Sequence, residues 1–375
     1  MQRLSFRDFS LVLALVAIVA VFTWQSPVYL DPRNLSNLAV EFSIIAVLAL
    51  GVFLILLPGQ TDLSTGSGVG LFGGVAAVLL TNQLWPAPVA MGAAFVGAVT
   101  LWALMGLLIV KQRIPAFIIT LAGMLVFRGL HWLVIQNNTI PVRTGGQDNL
   151  LSSLTTWYLP GWAGWVIVGV VAVTLGISAL KARARRRQHD LSVDDADTAF
   201  AGWLIPVQLL ILLVVVMNQF NGVPLPMLIL GITAVVVYIL SRHTPFGRHL
   251  YAIGGNAEAS RVSGIPVERT IVTAFALCGV TVALTGFLQT SYAGSSSATI
   301  GQYLELDAIA ACVIGGVSLA GGKGTVAGVL FGALIMTALL NGMTLLAMSP
   351  EFKLIARGLV LALAVWMDVY LSRRR

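Results

Sequence analysis

Charge is scarce in this chain. Only 10% of its 375 residues are Asp, Glu, Lys or Arg, against roughly 25% in an ordinary soluble domain. Histidine is almost missing at four residues and cysteine at two. Cys278 and Cys312 both lie inside apolar runs, with no CxxC partner and no neighbouring histidine. That excludes a disulfide framework and predicts two buried thiols with no metal site. His131, His189, His243 and His249 do not cluster with the acids, which argues against an integral-membrane enzyme. The few acids inside apolar runs argue equally against the mid-membrane relay that a stand-alone ion-coupled transporter needs.

Apolar residues take the place of charge. They make up 58% of the chain and the mean hydropathy is +0.91, more apolar material than one soluble core hides. Residues 9–30, 42–61, 63–110, 149–180, 198–241, 270–304 and 324–350 contain no Asp, Glu, Lys or Arg. A crossing needs about 20 such residues, so 63–110 and 198–241 are long enough for two each. The roughly ten-residue alternation of a membrane barrel is missing. The chain therefore reads as one all-α, polytopic membrane domain over 1–375 with about 12 transmembrane helices. They are expected near 9–24, 39–57, 63–81, 87–110, 114–135, 161–180, 202–217, 223–240, 270–290, 303–320, 324–346 and 354–371. The first reads as an uncleaved helix, since Ser10–Trp24 lacks a small-x-small cleavage site. Trp85-Pro86-Ala87-Pro88 and Asn218–Gly222 with Pro224 and Pro226 break the two long runs.

The net charge of +7 falls in short clusters between apolar runs, which excludes a nucleic-acid surface. Counted over alternate loops, 17 of the 22 Lys and Arg lie on the side of the N-terminus and only Arg33, Arg143 and Lys353 on the other. This places both termini in the cytoplasm. Three loops matter. Residues 136–160 form a polar extracytoplasmic loop, and 181–197 reads as a solvated basic-then-acidic linker. The cytoplasmic loop 241–269 holds a two-turn helix, capped by Asn256 and stopped by Gly264 and Pro266.

Two nucleotide motifs fail. Gly68-Val-Gly70-Leu-Phe-Gly73 has no preceding strand and no acid about 20 residues on, so close helix approach explains it better. Gly316–Gly324 resembles a phosphate loop, but Val317 replaces its first glycine and Gly324 its Ser or Thr. The chain has no cofactor and no nucleotide site of its own. The run Leu57-Pro-Gly-Gln-Thr-Asp-Leu-Ser64 does suit an interrupted helix. Such a break is tolerated only where protein or a water-filled cavity satisfies it. It either lines a path or is a tight turn whose Asp62 caps the next helix. Other intramembrane charges are Glu305 and Asp307, expected near the outer interface, and Asp368, expected to snorkel beside Arg373–Arg375. Glu41 and Arg128 lie deeper and form a candidate pair.

At this point the chain resembles the permease subunits of bacterial ABC importers for monosaccharides. The resemblance runs over nearly the whole chain. It rests on Asp62-Leu-Ser64, Ile114–Leu121 with Arg128-Gly129, Phe246–Asn256, Ser263-Gly-Ile265 and Val313–Thr325. Gln60, His131-Trp132 and the extra helix pair at 161–217 make it most similar to the xylose-type branch, beyond a ten-helix family core. Thr61 and Ser260 depart from the pattern. The resemblance implies a type II-like ABC importer permease in the bacterial inner membrane, working as a two-fold pair. Its partners would be a cytoplasmic ATPase, reached through Arg248, Asn256, Glu258, Arg261 and Gly264, and a periplasmic sugar-binding protein. Uptake by alternating access would then use neutral hydrogen-bonding groups along the path. The candidates are Gln60, Thr61, Asp62, Ser64, Gln289, Tyr292, Gln302 and Tyr303, with no catalytic and no metal-binding residue. A stand-alone secondary sugar transporter or facilitator is the alternative.

Overall fold

The computed structural model describes residues 6–143, 145–189 and 196–373. Within them the chain forms α1 (Phe6–Gln25), α2 (Pro32–Leu56), α3 (Thr65–Thr81), α4 (Ala87–Gln112), α5 (Ala116–Ile135), α6 (Leu150–Thr156), α7 (Gly161–Gln188) and α8 (Ala196–Asn218). It continues through α9 (Leu225–His243), α10 (Pro245–Gly255), α11 (Ala257–Val262), α12 (Val267–Ala293), α13 (Leu304–Ile314), α14 (Val326–Leu345) and α15 (Pro350–Arg373). A two-residue antiparallel ladder pairs Ile140 with Ser296 and Pro141 with Ser295. Among the described residues, eight helices are long and apolar enough to cross a membrane: α2, α4, α5, α7, α8, α9, α12 and α14. Helices α1, α3 and α15 fall on three further expected spans.

The remaining span, 303–320, is corrected. Only Leu304–Ile314 is helical, and its 11 residues rise about 16 Å, half of a hydrocarbon core of about 30 Å. Gly316 ends it with a φ of +88°, and the Val317 amide turns back to the Cys312 carbonyl at 2.9 Å. Upstream, non-helical residues 297–303 run along α3, so close that a Cβ on Gly301 would overlap the Gly66 carbonyl oxygen. Of the glycines at 68, 70 and 73, Gly73 makes the expected close helix approach, since a Cβ there would lie 2.8 Å from the Gly286 carbonyl oxygen on α12.

Helix α2 is the axis of the fold. From Ala46 to Leu57 its apolar residues are at most 1% exposed, the mark of a helix that is hydrophobic all round. Helices α12, α13 and α14 pack on it, and α4 and α3 pack on α12. Cys278 and Cys312 are free and buried there, as expected. The α7–α8 hairpin instead forms a small separate cluster at the edge with Ala39, Leu159 and Val223. Its two ends are pinned together, the Leu159 amide bonding the Val223 carbonyl at 2.8 Å and the Leu225 amide the Trp157 carbonyl at 3.1 Å.

Two loop expectations change. The linker 181–197 is helical over its basic half, because α7 continues through Lys181, Arg183 and Arg185–Arg187 to Gln188. Cations in a last turn suit the negative end of the helix dipole. Its acidic residues Asp190, Asp194 and Asp195 lie outside the described residues, as do Arg3, Arg374, Arg375 and the side chain of Asp368. The loop 136–160 is only partly open. Its second half folds into α6, with Asn149 and Ser152 capping each other. Leu151, Ser152, Leu154 and Thr155 are buried, and Thr155 Oγ1 lies 2.9 Å from Ser291 Oγ on α12.

Candidate functional site

The chain is interrupted twice near the Lys- and Arg-rich end of the bundle, and the two interruptions meet. The first is residues 57–64. Pro58 has no amide for the helix to use, and Gly59 takes a φ of +77°, so α2 cannot continue. Asp62 rebuilds the chain on the far side. Its Oδ1 accepts from the Ser64 amide at 2.7 Å and the Ser64 hydroxyl at 2.6 Å, and its Oδ2 accepts from Trp102 Nε1 at 2.7 Å. Asp62, Ser64 and Trp102 are fully buried. Three donors at one carboxylate are what allow a buried acid to be retained. Asp62 and Ser64 therefore hold the break in shape, while Gln60 and Thr61 beside them remain partly accessible.

The second interruption is residues 315–325, between α13 and α14. The Gly322 amide donates to the Leu57 carbonyl at 2.9 Å, which joins the two breaks directly. The α13 acids are not interfacial. Asp307 is fully buried and Glu305 is 5% exposed, because the turns at 298–303, packed against α3, set the start of this helix inside the bundle. Arg357 Nε on α15 lies 2.9 Å from Asp307 Oδ1, an ion pair by distance that is not aligned as a hydrogen bond. Glu41 does not pair with Arg128. It accepts from the Tyr292 hydroxyl at 2.9 Å and Asn341 Nδ2 at 3.2 Å, tying α2 to α12 and α14. Arg128 instead faces a narrow recess lined by Ser67, His131, Gly301 and Gln302.

The path candidates thus fall at three levels rather than in one pocket. Gln60 and Thr61 are at the first break, Gln302 and Tyr303 are beside α3 midway, and Gln289 and Tyr292 are at the opposite end of α12. Sequence reasoning left Ser67, Arg128 and His131 out of this set. The signal was present in the Arg128–His131 spacing, which puts both side chains on one face of α5.

The five coupling candidates come together on one projecting element. Asn256 Oδ1 accepts the Ala259 amide at 2.9 Å and starts α11, and Gly264 ends it with a φ of +80°. Arg248, Asn256, Glu258, Arg261 and Gly264 are all exposed. Glu258 and Arg261 lie 4.0 Å apart, too exposed a pair to add much stability. Val262 beside them is 85% exposed, an apolar side chain that sequence reasoning did not single out. Helix α10 was also unforeseen, although Gly247, Leu250 and Ile253 bury one face at helical spacing. Its Tyr251 hydroxyl donates to the Gly324 carbonyl at 2.8 Å. Burial pushes this phenol up, against an opposing pull from Arg242, so it stays a donor at neutral pH.

Comparison with known proteins agrees with this architecture. A family described as "Branched-chain amino acid transport system / permease component" matches residues 34–365. The xylose transport system permease protein XylH of Escherichia coli strain K12 is 38% identical, over 100% of this chain and 94% of that protein. XylH of Haemophilus influenzae is 36% identical, over 98% and 97%. The ribose import permease protein RbsC of Escherichia coli strain K12 is 33% identical, over 95% and 92%. No solved structure matches the chain. A match over most of its length to permease components, rather than enzymes, makes this a multi-pass inner-membrane subunit of a larger transport system, and the chain belongs to this permease family.

Proposed function

We propose that the chain is the membrane-spanning subunit of an ATP-driven importer of a monosaccharide, D-xylose, and that it works as a two-fold pair. The observation that carries this reading is the full-length similarity to xylose permeases. The matching family's description names branched-chain amino acids, whereas the relatives matched over most of their length are named for xylose and ribose. Gln60, Thr61, Gln302 and Tyr303 are neutral hydrogen-bonding groups, which suit a polyhydroxylated sugar.

In this reading the Lys- and Arg-rich end is cytoplasmic, as are both termini. Loop 241–269 then projects α11 into the cytoplasm, where Val262 and the charges around it meet a separate ATPase. A periplasmic binding protein delivers sugar to the opposite end, around 143–149 and 292–302. ATP binding draws the two ATPase subunits together and shifts the permease pair from inward-open to outward-open. Hydrolysis and release reset it. The driving term is the differential grip of the ATPase on α10 and α11 in its two states.

The test is uptake of radiolabelled xylose into vesicles containing this chain, its ATPase and its binding protein, with leucine as the competing substrate. ATP-dependent xylose uptake that needs all three components supports the proposal. Uptake by this chain alone, indifferent to ATP, favours a stand-alone transporter. Leucine uptake in place of xylose overturns the sugar assignment.

A further inference from the structure

We infer that Gly254 is a positioning residue that carries movement of α10 and α11 into both interruptions of the bundle through direct backbone contact. The inference rests on the proposed grip of an ATPase on loop 241–269 and deepens it. Gly254 is the penultimate residue of α10, where its Cα meets the two breaks at once. A Cβ built at 254 would overlap both the Leu57 carbonyl oxygen and the Gly322 amide nitrogen. A Cβ at Gly321 would in turn lie 2.8 Å from the Gly59 nitrogen and 2.9 Å from the Gly254 Cα. The Leu57 carbonyl and Gly322 amide are already hydrogen-bonded to each other. Tyr251, one turn earlier on α10, is bonded to the Gly324 carbonyl.

The mechanical consequence follows from what is missing between these segments. Most packed elements touch through side chains, and a small displacement is absorbed by rotamer changes. At this junction backbone rests on backbone, so no rotamer can take up a shift of α10. The segments it touches end α2 at Leu57 and follow α13 at Gly321 and Gly322. They include the partly accessible stretch around Gln60 and Thr61. A displacement imposed on α11 thus reaches both interruptions without passing along the length of α9 or α12. Gly255, the next residue, has nothing within 4 Å of a Cβ, which provides an internal control with the same chemistry.

The experiment compares Gly254→Ala, Gly255→Ala and Tyr251→Phe in the assembled complex, measuring ATPase co-purification, ATP hydrolysis and xylose uptake separately. Gly254→Ala is expected to keep the ATPase bound and hydrolysing while uptake per ATP falls about tenfold, a usual size for a lost coupling between sites. Gly255→Ala should match the unaltered chain. Tyr251→Phe removes only a hydroxyl and should lower uptake per ATP by a smaller factor, so it decides the matter if Gly254→Ala does not fold. Unchanged uptake per ATP in Gly254→Ala, or in Tyr251→Phe when the glycine variant is lost, overturns the inference. A proportional fall of uptake and hydrolysis together also overturns it, because that marks a merely structural role. The parent reading fails by a different result: undiminished ATPase co-purification when Glu258→Lys reverses the charge on α11.

Discussion

Helices α2 and α7 are both long and apolar, yet they do opposite work. The most apolar stretch of α2 is 83% buried inside the protein, that of α7 only 11% and that of α8 only 17%. Hydropathy does not separate them, since all three are strongly apolar along a full membrane-crossing length. What separates them is the company of polar groups. Around α2 lie Asn34, Glu41, Asn341, Asp62 and Asp307, each with an assigned hydrogen bond or ion pair. Along α7 and α8 the main polar tie is the Trp203 indole on the Ala172 carbonyl, at 2.8 Å. In a bilayer apolar side chains face lipid as readily as protein, so placement comes from small residues and polar bonds rather than from hydrophobicity.

The largest effect that would sharpen this contrast is expected at Asp307. Asp307→Ala leaves Arg357 without its buried partner and should cost about 3–5 kcal/mol of stability, read as a lowered thermal midpoint in detergent. Adding Arg357→Met should recover much of that loss. Glycine substitutions come next and should differ in sign. Gly332→Ala on α14 would push a methyl into the Ala311 carbonyl and should destabilise by about 1–3 kcal/mol. Gly169→Ala on α7, with nothing within 4 Å, should gain up to about 1 kcal/mol from helix propensity. Equal losses at both sites would break the comparison. The smallest contrast is between indoles. Trp102→Phe strips a donor from the buried Asp62 and should cost about 2 kcal/mol, with uptake lost alongside. Trp203→Phe should cost about 1 kcal/mol and leave uptake intact.

Much of this organisation was legible in the sequence. Apolar runs located eleven of the twelve expected spans on helices, Pro58 and Gly59 announced the first break, and Asn256 announced α11. The half-length of α13 was not legible, because 303–320 is as apolar as a full span, and only Gly315 and Gly316 hint at its end. The depth of Glu305 and Asp307 was misjudged for a related reason. Spacing from the last polar segment suggests an interface, whereas residues 298–303 fold as successive turns packed against α3, with the Ile300 amide on the Ser297 carbonyl and the Gln302 amide on the Thr299 carbonyl, and so deliver the start of α13 inside the bundle. Partners far apart in sequence, such as Asp307 with Arg357 and Glu41 with Tyr292, depend on packing that no local pattern encodes. The polar Asn149–Thr156 stretch likewise gave no sign that α6 folds back against α12.

The pinned ends of the α7–α8 hairpin have a consequence for how the chain can be edited. Tyr158 and Pro224 form an antiparallel bridge, so the polypeptide leaves the bundle and returns to it at the same place. The 61 residues from 161 to 221 therefore occupy no more of the main circuit than a tight turn does. Excising 161–221 and closing the gap with a short turn asks nothing else of the backbone to move, and the remaining helices keep their order and direction. A shortened chain that still inserts and still supports uptake would mark the hairpin as a detachable module. It would also explain in simple geometric terms how a two-helix unit can be gained or lost in one step.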